Sequence, residues 1–226
     1  MVLSQAVEDY IKTIYTLETE QEDGGVSTTK IAEILGVSSA SVTNMIKRLA
    51  KMGLVEYESY YGTTLTDAGE KIALEIIRHH RLLELYLKEV MGYSWDEVHD
   101  EAENLEHHIS EQFEERIAEI LDHPTHDPHG DPIPSKDGVL PEMARHPLSE
   151  SEEGEKWIIG RVTDQDPELL RYLEEIGLIP GAKIEILETA PFNGPITIDV
   201  AGNKQTVGHE MAQKIFLLEP KTSEDK

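Results

Sequence analysis

Apolar residues recur at helical spacing over residues 5–20 (Ile11, Ile14, Tyr15, Leu17), and the polar run QEDGG ends the pattern. Ser27 or Thr28 can cap a short helix through Leu35, followed by a tight Gly36-Val37-Ser38 turn. A second helix is predicted from Ser39 to Met52, stopped by Gly53. Leu54–Glu58 and Thr63–Thr66 read as short strands around a Tyr-Gly turn. Helix, turn, helix and hairpin in that order predict a winged helix-turn-helix. Two long helices follow, one from Thr66 to Val90 and one from the capping box Ser94-Trp95-Asp96-Glu97 to Asp122. Residues 123–155, rich in Pro, Gly, His and acid, read as loop and linker. Asp166-Pro167 can cap a short helix ending at Gly177, and Pro180-Gly181 makes a turn. The alternating segments Lys183–Leu187, Ile196–Val200, Gln205–Val207 and Ile215–Leu218 then predict a small β-barrel.

The expected fold class is α+β and multidomain. A winged helix-turn-helix would occupy 1–71, an all-α helical dimerisation and metal-binding domain 72–140, a linker 141–155, the barrel 156–220 and a tail 221–226. Two consecutive long helices after such a module are commonly a dimerisation unit, and helix-turn-helix proteins usually bind two-fold half-sites.

The chain has 226 residues and a formal charge of −25, which taken alone argues against a chain coated in phosphate-seeking charge. The charge is unevenly spread. Residues 26–53 hold Lys30, Lys47, Arg48 and Lys51 against Glu33 alone, while residues 72–145 carry 18 acidic and 6 basic groups. On the second helix, Val42, Met45, Ile46 and Leu49 make a core face. Ser39, Ser41, Thr43, Asn44, Lys47 and Lys51 are left for base edges and phosphates, with Thr28 and Ser38 at the helix starts. An ordinary solvated face is the bland alternative; the turn, the wing and the local positive charge favour DNA.

Cysteine is absent, which excludes disulfides, thiolate zinc fingers and cysteine nucleophiles. No run approaches the roughly 18 apolar residues of a membrane span, and the N-terminus lacks signal-peptide character. A cytoplasmic protein without a membrane partner is expected.

Eight of the ten histidines fall between His79 and His129, in the most acidic third. At about 100° per residue, with His99 at zero, Glu103 falls near 40°, Glu106 near −20° and His107 near 80° on one stripe. His108 points away. On the preceding helix His80 and Glu84 lie within the apolar stripe, and a buried carboxylate implies a partner. Each residue alone is more simply a core or surface side chain; two helices presenting His and Glu at one-turn spacing favour a metal. Imidazole and carboxylate without thiolate suit Mn(II), Fe(II), Co(II) or Zn(II). No HExxH, GxSxG, phosphate loop or dinucleotide fingerprint appears, so an enzyme is not expected. A metal-dependent hydrolase and a metal-blind DNA-binding scaffold are the competing classes.

The segments EDYIKTIYTLE, SVTNMIKRL, TLTDAGEKIA, RHHRLLE, VHDEAENLEHHIS and PHGDPIP together resemble the diphtheria toxin repressor family, which includes iron-dependent repressors and manganese transport regulators. The resemblance spans nearly the whole chain. It implies a three-domain protein whose third domain is a Src-homology-3-like (FeoA-like) barrel. It also implies a homodimer that binds double-stranded palindromic operator DNA when loaded with a divalent metal, controlling metal-uptake genes. The implied primary site is Asp9, Glu103, Glu106 and His107. The implied second site draws on His80, Glu84, His99, Asp127, His129 and Asp164. Iron-type members carry methionine and cysteine where this chain has Asp9 and Glu103, which shifts the expected effector toward Mn(II), with Fe(II) as runner-up. Two-domain manganese regulators carry an additional acid where this chain has Lys12, so their dinuclear site does not transfer.

Overall fold

The computed structural model describes residues 3–19, 21, 24–58, 61–163 and 166–220. The chain forms two compact units. One comprises Met1–His80, Leu105–Ser110 and Pro134–Val139; the other comprises Arg81–Asn104, Glu111–Ile133 and Leu140–Lys226.

In the first unit, α1 (Gln5–Thr19) buries Val7, Tyr10, Ile11, Ile14 and Leu17 along one face. Helix α2 (Thr28–Leu35) is capped by Ser27, whose Oγ accepts the Lys30 N–H at 3.2 Å. It ends at Gly36, where φ is +63°, a left-handed conformation open to glycine at little cost. Helix α3 (Ser39–Lys51) is capped in the same way by Ser38. Its buried residues Val42, Ile46 and Leu49 join Ile11, Ile14 and Ile31 in one core. Each such side chain contributes about 1.5–3 kcal/mol on burial. Strands β1 (Val55–Glu58) and β2 (Gly62–Leu65) form an antiparallel wing with Val55 opposite Leu65. Val26 and Thr63 exchange main-chain hydrogen bonds at 2.8 and 2.9 Å, tying the wing to the segment before α2. Helix α4 (Asp67–Tyr86) begins in this unit, and its last turns, from Arg81, belong to the second.

Within the second unit, α4 relaxes into a wider turn over Leu87–Met91 and stops at Gly92. The single helix expected from Ser94 to Asp122 is broken into α5 (Val98–Leu105) and α6 (Glu111–Ile120). Ser94 and Glu97 do pair, at 2.6 Å between side chains, but they form a turn before α5. Glu106 and His107 fall in the interruption and belong to the first unit, where tertiary partners hold them. A wheel drawn through one unbroken helix therefore does not apply to them.

The C-terminal part is a six-stranded antiparallel sheet in the order β3-β8-β4-β5-β6-β7. Its strands are β3 (His146–Pro147), β4 (Lys156–Val162), β5 (Lys183–Thr189), β6 (Ile196–Val200), β7 (Asn203–Val207) and β8 (Ile215–Leu218). Strand β4 was not predicted, and β3 lies inside the stretch read as linker. β4 has the length of a strand but not a strict alternation of buried and exposed positions, and β3 is only a two-residue edge. Between β4 and β5, α7 (Pro167–Glu175) is capped by Asp166, whose Oδ1 accepts the Glu168 and Leu169 N–H groups. A short α8 (His209–Ala212) precedes β8. Ile159, Val162, Leu170, Leu173, Ile184, Ile198 and Ile215 form the core of this unit, and Trp95, 1% exposed, packs into it.

Candidate metal centre and DNA-reading surface

Three stretches of the first unit meet around Glu106. Helix α1 brings Glu8, Asp9 and Lys12 to one side, since positions i and i+3 or i+4 share a helix face. The last residues of α4 in this unit bring His79 and His80. The turn after α5 brings Glu106 and His107. Ligand atoms of Asp9, Glu106 and His107 lie within 4.8 Å of one another. His107 Nε2 is 2.8 Å from Asp9 Oδ1 and 3.2 Å from Glu106 Oε1. Neither contact has hydrogen-bond geometry, and that buried nitrogen has no hydrogen-bond partner among the described residues. At the other side of the ring, Nδ1 donates to Glu8 Oε2 at 2.6 Å. A carboxylate holding Nδ1–H leaves Nε2 as an unshared lone pair beside two carboxylates, the tautomer in which histidine ligates a metal. Two oxygens and one imidazole nitrogen fit a divalent first-row cation.

Glu106 is buried, 1% exposed. Lys12 Nζ donates to both of its oxygens at 3.0 and 2.8 Å, and His80 Nδ1 donates to Oε2 at 2.5 Å. Burial pushes the Glu106 carboxyl up, but the His80 hydrogen bond and the Lys12 charge outweigh it and leave it below the ordinary carboxylate value. His79 Nδ1 donates to the Glu106 carbonyl at 3.3 Å, which fixes the turn. Two members of this cluster, Glu8 and Lys12, are absent from the residues expected as ligands. Their i, i+4 spacing beside Asp9 was the available signal. His80, expected in the second set, is bonded here to Glu106.

The remaining expected ligands are in the second unit, except Asp164, which lies outside the described residues. Glu84, 1% exposed, accepts from His99 Nδ1 at 3.1 Å. Glu103 is half-buried one turn beyond His99 on α5. Asp127 and His129 are buried in the loop before Ile133. Asp127 Oδ1 accepts the N–H groups of His129 and Asp131 at 2.8 and 2.9 Å. Burial, reinforced by the charges of Glu84 and Asp131, pushes the Asp127 carboxyl well above its ordinary value, with Arg81 opposing. Burial holds the His129 imidazole below its ordinary value, with Glu84 and Asp131 opposing. Neither ring nitrogen of His129 has a hydrogen-bond partner among the described residues. Acidic groups that repel one another beside a bare imidazole are a setting that a cation relieves.

On α3, Ser39, Ser41, Asn44, Lys47 and Lys51 are exposed, as is Arg48, which was not singled out. Ser38 Oγ is engaged as the cap, and Thr43 Oγ1 donates to the Ser39 carbonyl at 2.8 Å. Both hydroxyls are partly committed to the helix. Thr28, half-buried, is the first residue of α2, and Ser27 rather than Thr28 is its cap.

Residues 2–63 match the iron dependent repressor N-terminal DNA binding domain, and residues 66–135 the iron dependent repressor metal binding and dimerisation domain. Residues 146–218 match the FeoA domain. The iron-dependent repressor IdeR of Mycobacterium bovis is 34% identical over 228 residues, covering 94% of this chain and 96% of the relative. A solved manganese-dependent transcriptional repressor in complex with manganese has a TM-score of 0.85 and 39% identity, covering 95% of this chain and 100% of that one. The crystal structure of ScaR with bound Cd2+ has a TM-score of 0.78 and 36% identity, covering 95% and 99%. With similarity along almost its full length and a carboxylate–imidazole centre joined to a winged helix, the chain belongs to the iron-dependent repressor family of metal-dependent transcriptional regulators.

Proposed function

We propose that this protein is a Mn(II)-responsive repressor that binds palindromic operator DNA as a homodimer and controls metal-uptake genes, acting in the cytoplasm as a regulator and not as a catalyst. The observation that carries the reading is the Asp9–Glu106–His107 triad. It joins α1, whose buried face shares a core with α3, the proposed recognition helix, to the turn after α5. A divalent ion there would supply positive charge that links the two segments. Stronger binding by the linked state shifts the population toward it, as effector control requires. Asp9, Glu103, Glu106 and His107 make up the proposed primary ligands. His80, Glu84, His99, Asp127, His129 and Asp164 supply the proposed second set. Carboxylates at Asp9 and Glu103 favour Mn(II); Fe(II) is the alternative, since relatives of both kinds are similar to this chain.

The proposed organisation keeps the winged helix to residues 1–71 and the helical domain to 72–140, with a Src-homology-3-like barrel over 156–220. Among the described residues no helix is long and apolar enough to cross a membrane.

Fluorescence anisotropy with operator DNA tests the function. Mn(II) added to chelator-treated protein should raise affinity at least tenfold, and Asp9→Ala should abolish the rise while leaving the circular dichroism spectrum unchanged. Equal affinity with and without metal would refute the reading.

A further inference from the structure

The loop carrying Asp127 and His129 has the sequence HPTHDPHGDPIP and no regular ladder of its own. Inside it, Asp127 N–H donates to the Asp131 carbonyl at 3.0 Å and Gly130 N–H to the Asp127 carbonyl at 3.1 Å. Ile133 N–H donates to the Thr125 carbonyl at 2.8 Å, and Arg81 of α4 donates to the Pro132 carbonyl and faces Asp127 and Asp131 at 3.7 Å. Further support comes from the C-terminal sheet. A β-bulge interrupts the β4–β8 pairing between Ile159 and Arg161, at Gly160. Bulges bend a strand and redirect its groups. Here the Gly160 carbonyl meets Gly130 so closely that a Cβ on Gly130 would lie 1.9 Å from its oxygen. Gly130 also has φ of +88°, so this contact requires glycine twice over. The next residue, Arg161, donates from Nη1 to Asp131 Oδ1 at 3.1 Å, and its guanidinium lies over the Phe216 ring at 4.7 Å. After it, Val162 N–H donates to the His129 carbonyl at 2.9 Å. Trp95, embedded in the same core, donates from Nε1 to the Pro128 carbonyl at 3.1 Å and stacks on His129 at 5.4 Å.

Three consecutive residues of β4 therefore hold three consecutive residues of the loop. We infer that β4 of the C-terminal sheet positions Asp127 and His129 of the second metal-binding set, with Arg161 as a positioning residue. Arg161 fixes Asp131, whose N–H is bonded to the Asp127 carboxylate, while the Val162 main chain and Trp95 set the His129 ring. The sheet need not donate a ligand to control this set. Because neither His129 ring nitrogen has a hydrogen-bond partner among the described residues, the backbone and the Trp95 stacking orient the ring. The inference rests on the proposed reading of Asp127 and His129 as ligands.

Calorimetric titration of the chelator-treated full chain with Mn(II) tests it. The wild-type protein should show two classes of site, and His129→Ala should lose the weaker class. Arg161→Leu should weaken that class about 10–100-fold, the range for groups that orient ligands, and leave the first class unchanged. Arg161→Lys, which keeps the charge facing Asp131, should recover most of the loss. Co(II) in the second site should show an altered visible spectrum in Arg161→Leu, which a generally loosened fold with both classes weakened would not produce selectively. Asp131→Asn gives a milder check should Arg161→Leu fold poorly, and it should weaken the same class alone. If His129→Ala loses the second class while Arg161→Leu and Asp131→Asn keep it at wild-type affinity, the positioning role is overturned. If His129→Ala keeps both classes, the ligand reading itself fails.

Discussion

Replacing Lys12 by Met would remove the cation from a carboxylate that has been taken out of water. The Glu106 side chain is 0% exposed and that of Lys12 18% exposed, with Nζ within 3.0 Å of both carboxylate oxygens. Removing one partner of a buried pair costs about 3–5 kcal/mol, because the other charge is left stranded. Lys12 keeps some contact with solvent and His80 stays on Glu106, so the lower end applies, about 3 kcal/mol. With a urea slope of about 2 kcal/mol/M, the unfolding midpoint in chelator should fall by roughly 1.5 M. Far-ultraviolet circular dichroism during urea titration reads this directly. Saturating Mn(II) brings two positive charges to the same carboxylates and should narrow the gap between variant and wild type. A metal bound at 100 times its Kd adds about 2.7 kcal/mol to either protein, and more to a variant from which the competing ammonium is gone. In the double variant Lys12→Met/Glu106→Gln most of the loss should disappear, giving a coupling above about 1 kcal/mol. A Lys12→Met midpoint within about 0.2 M of wild type in chelator would refute the argument that Lys12 neutralises a buried charge.

Three further outcomes concern Glu106, His129 and Trp95. The Glu106 carboxyl is held below its ordinary value of 4.5, so its stabilisation is fully present above that pH and drains away as pH falls through the depressed value. The metal-free protein should lose stability across this acid range, and Glu106→Gln should flatten that part of the curve; an unchanged slope counts against the cluster. Burial holds the His129 imidazole below its ordinary value of 6.5, so stability should also fall as pH drops below that value, where the unfolded imidazole takes up a proton first. His129→Leu should remove that component from the same titration. Trp95→Ala should destabilise the second unit by about 3–5 kcal/mol, whereas Trp95→Phe should cost about 1 kcal/mol for the lost Pro128 hydrogen bond. Thermal unfolding distinguishes these, and equal losses in the two variants would deny the packing role of the ring.

Local chemistry made the DNA-reading module legible. Ser27, Gly36, Ser38 and Gly53 mark helix ends through capping and left-handed turns that depend on near neighbours alone. The observed α2, α3, β1 and β2 fall within a residue or so of the expected spans for that reason. The α7 cap at Asp166 was equally readable. The metal-binding region was legible as a composition of histidine and acid, and Glu106 and His107 stood out by spacing. Their actual partners did not, because a helical wheel assumes an unbroken helix and α5 ends at Leu105. Periodicity carries no information about where tertiary contacts will interrupt it.

What belongs to the chain's own pattern is therefore the winged module, the long α4 and a strand-rich end, and the class of metal that carboxylates and imidazoles without thiolates would take. What required the folded arrangement is the pairing of groups far apart in sequence: Lys12 with Glu106, Glu8 with His107, and Arg161 with Asp131. Capping and amphipathicity act over one or two turns and are written in adjacent residues. Neutralising a buried carboxylate or holding a ligand loop depends on which distant surfaces meet, a matter settled by packing the whole core.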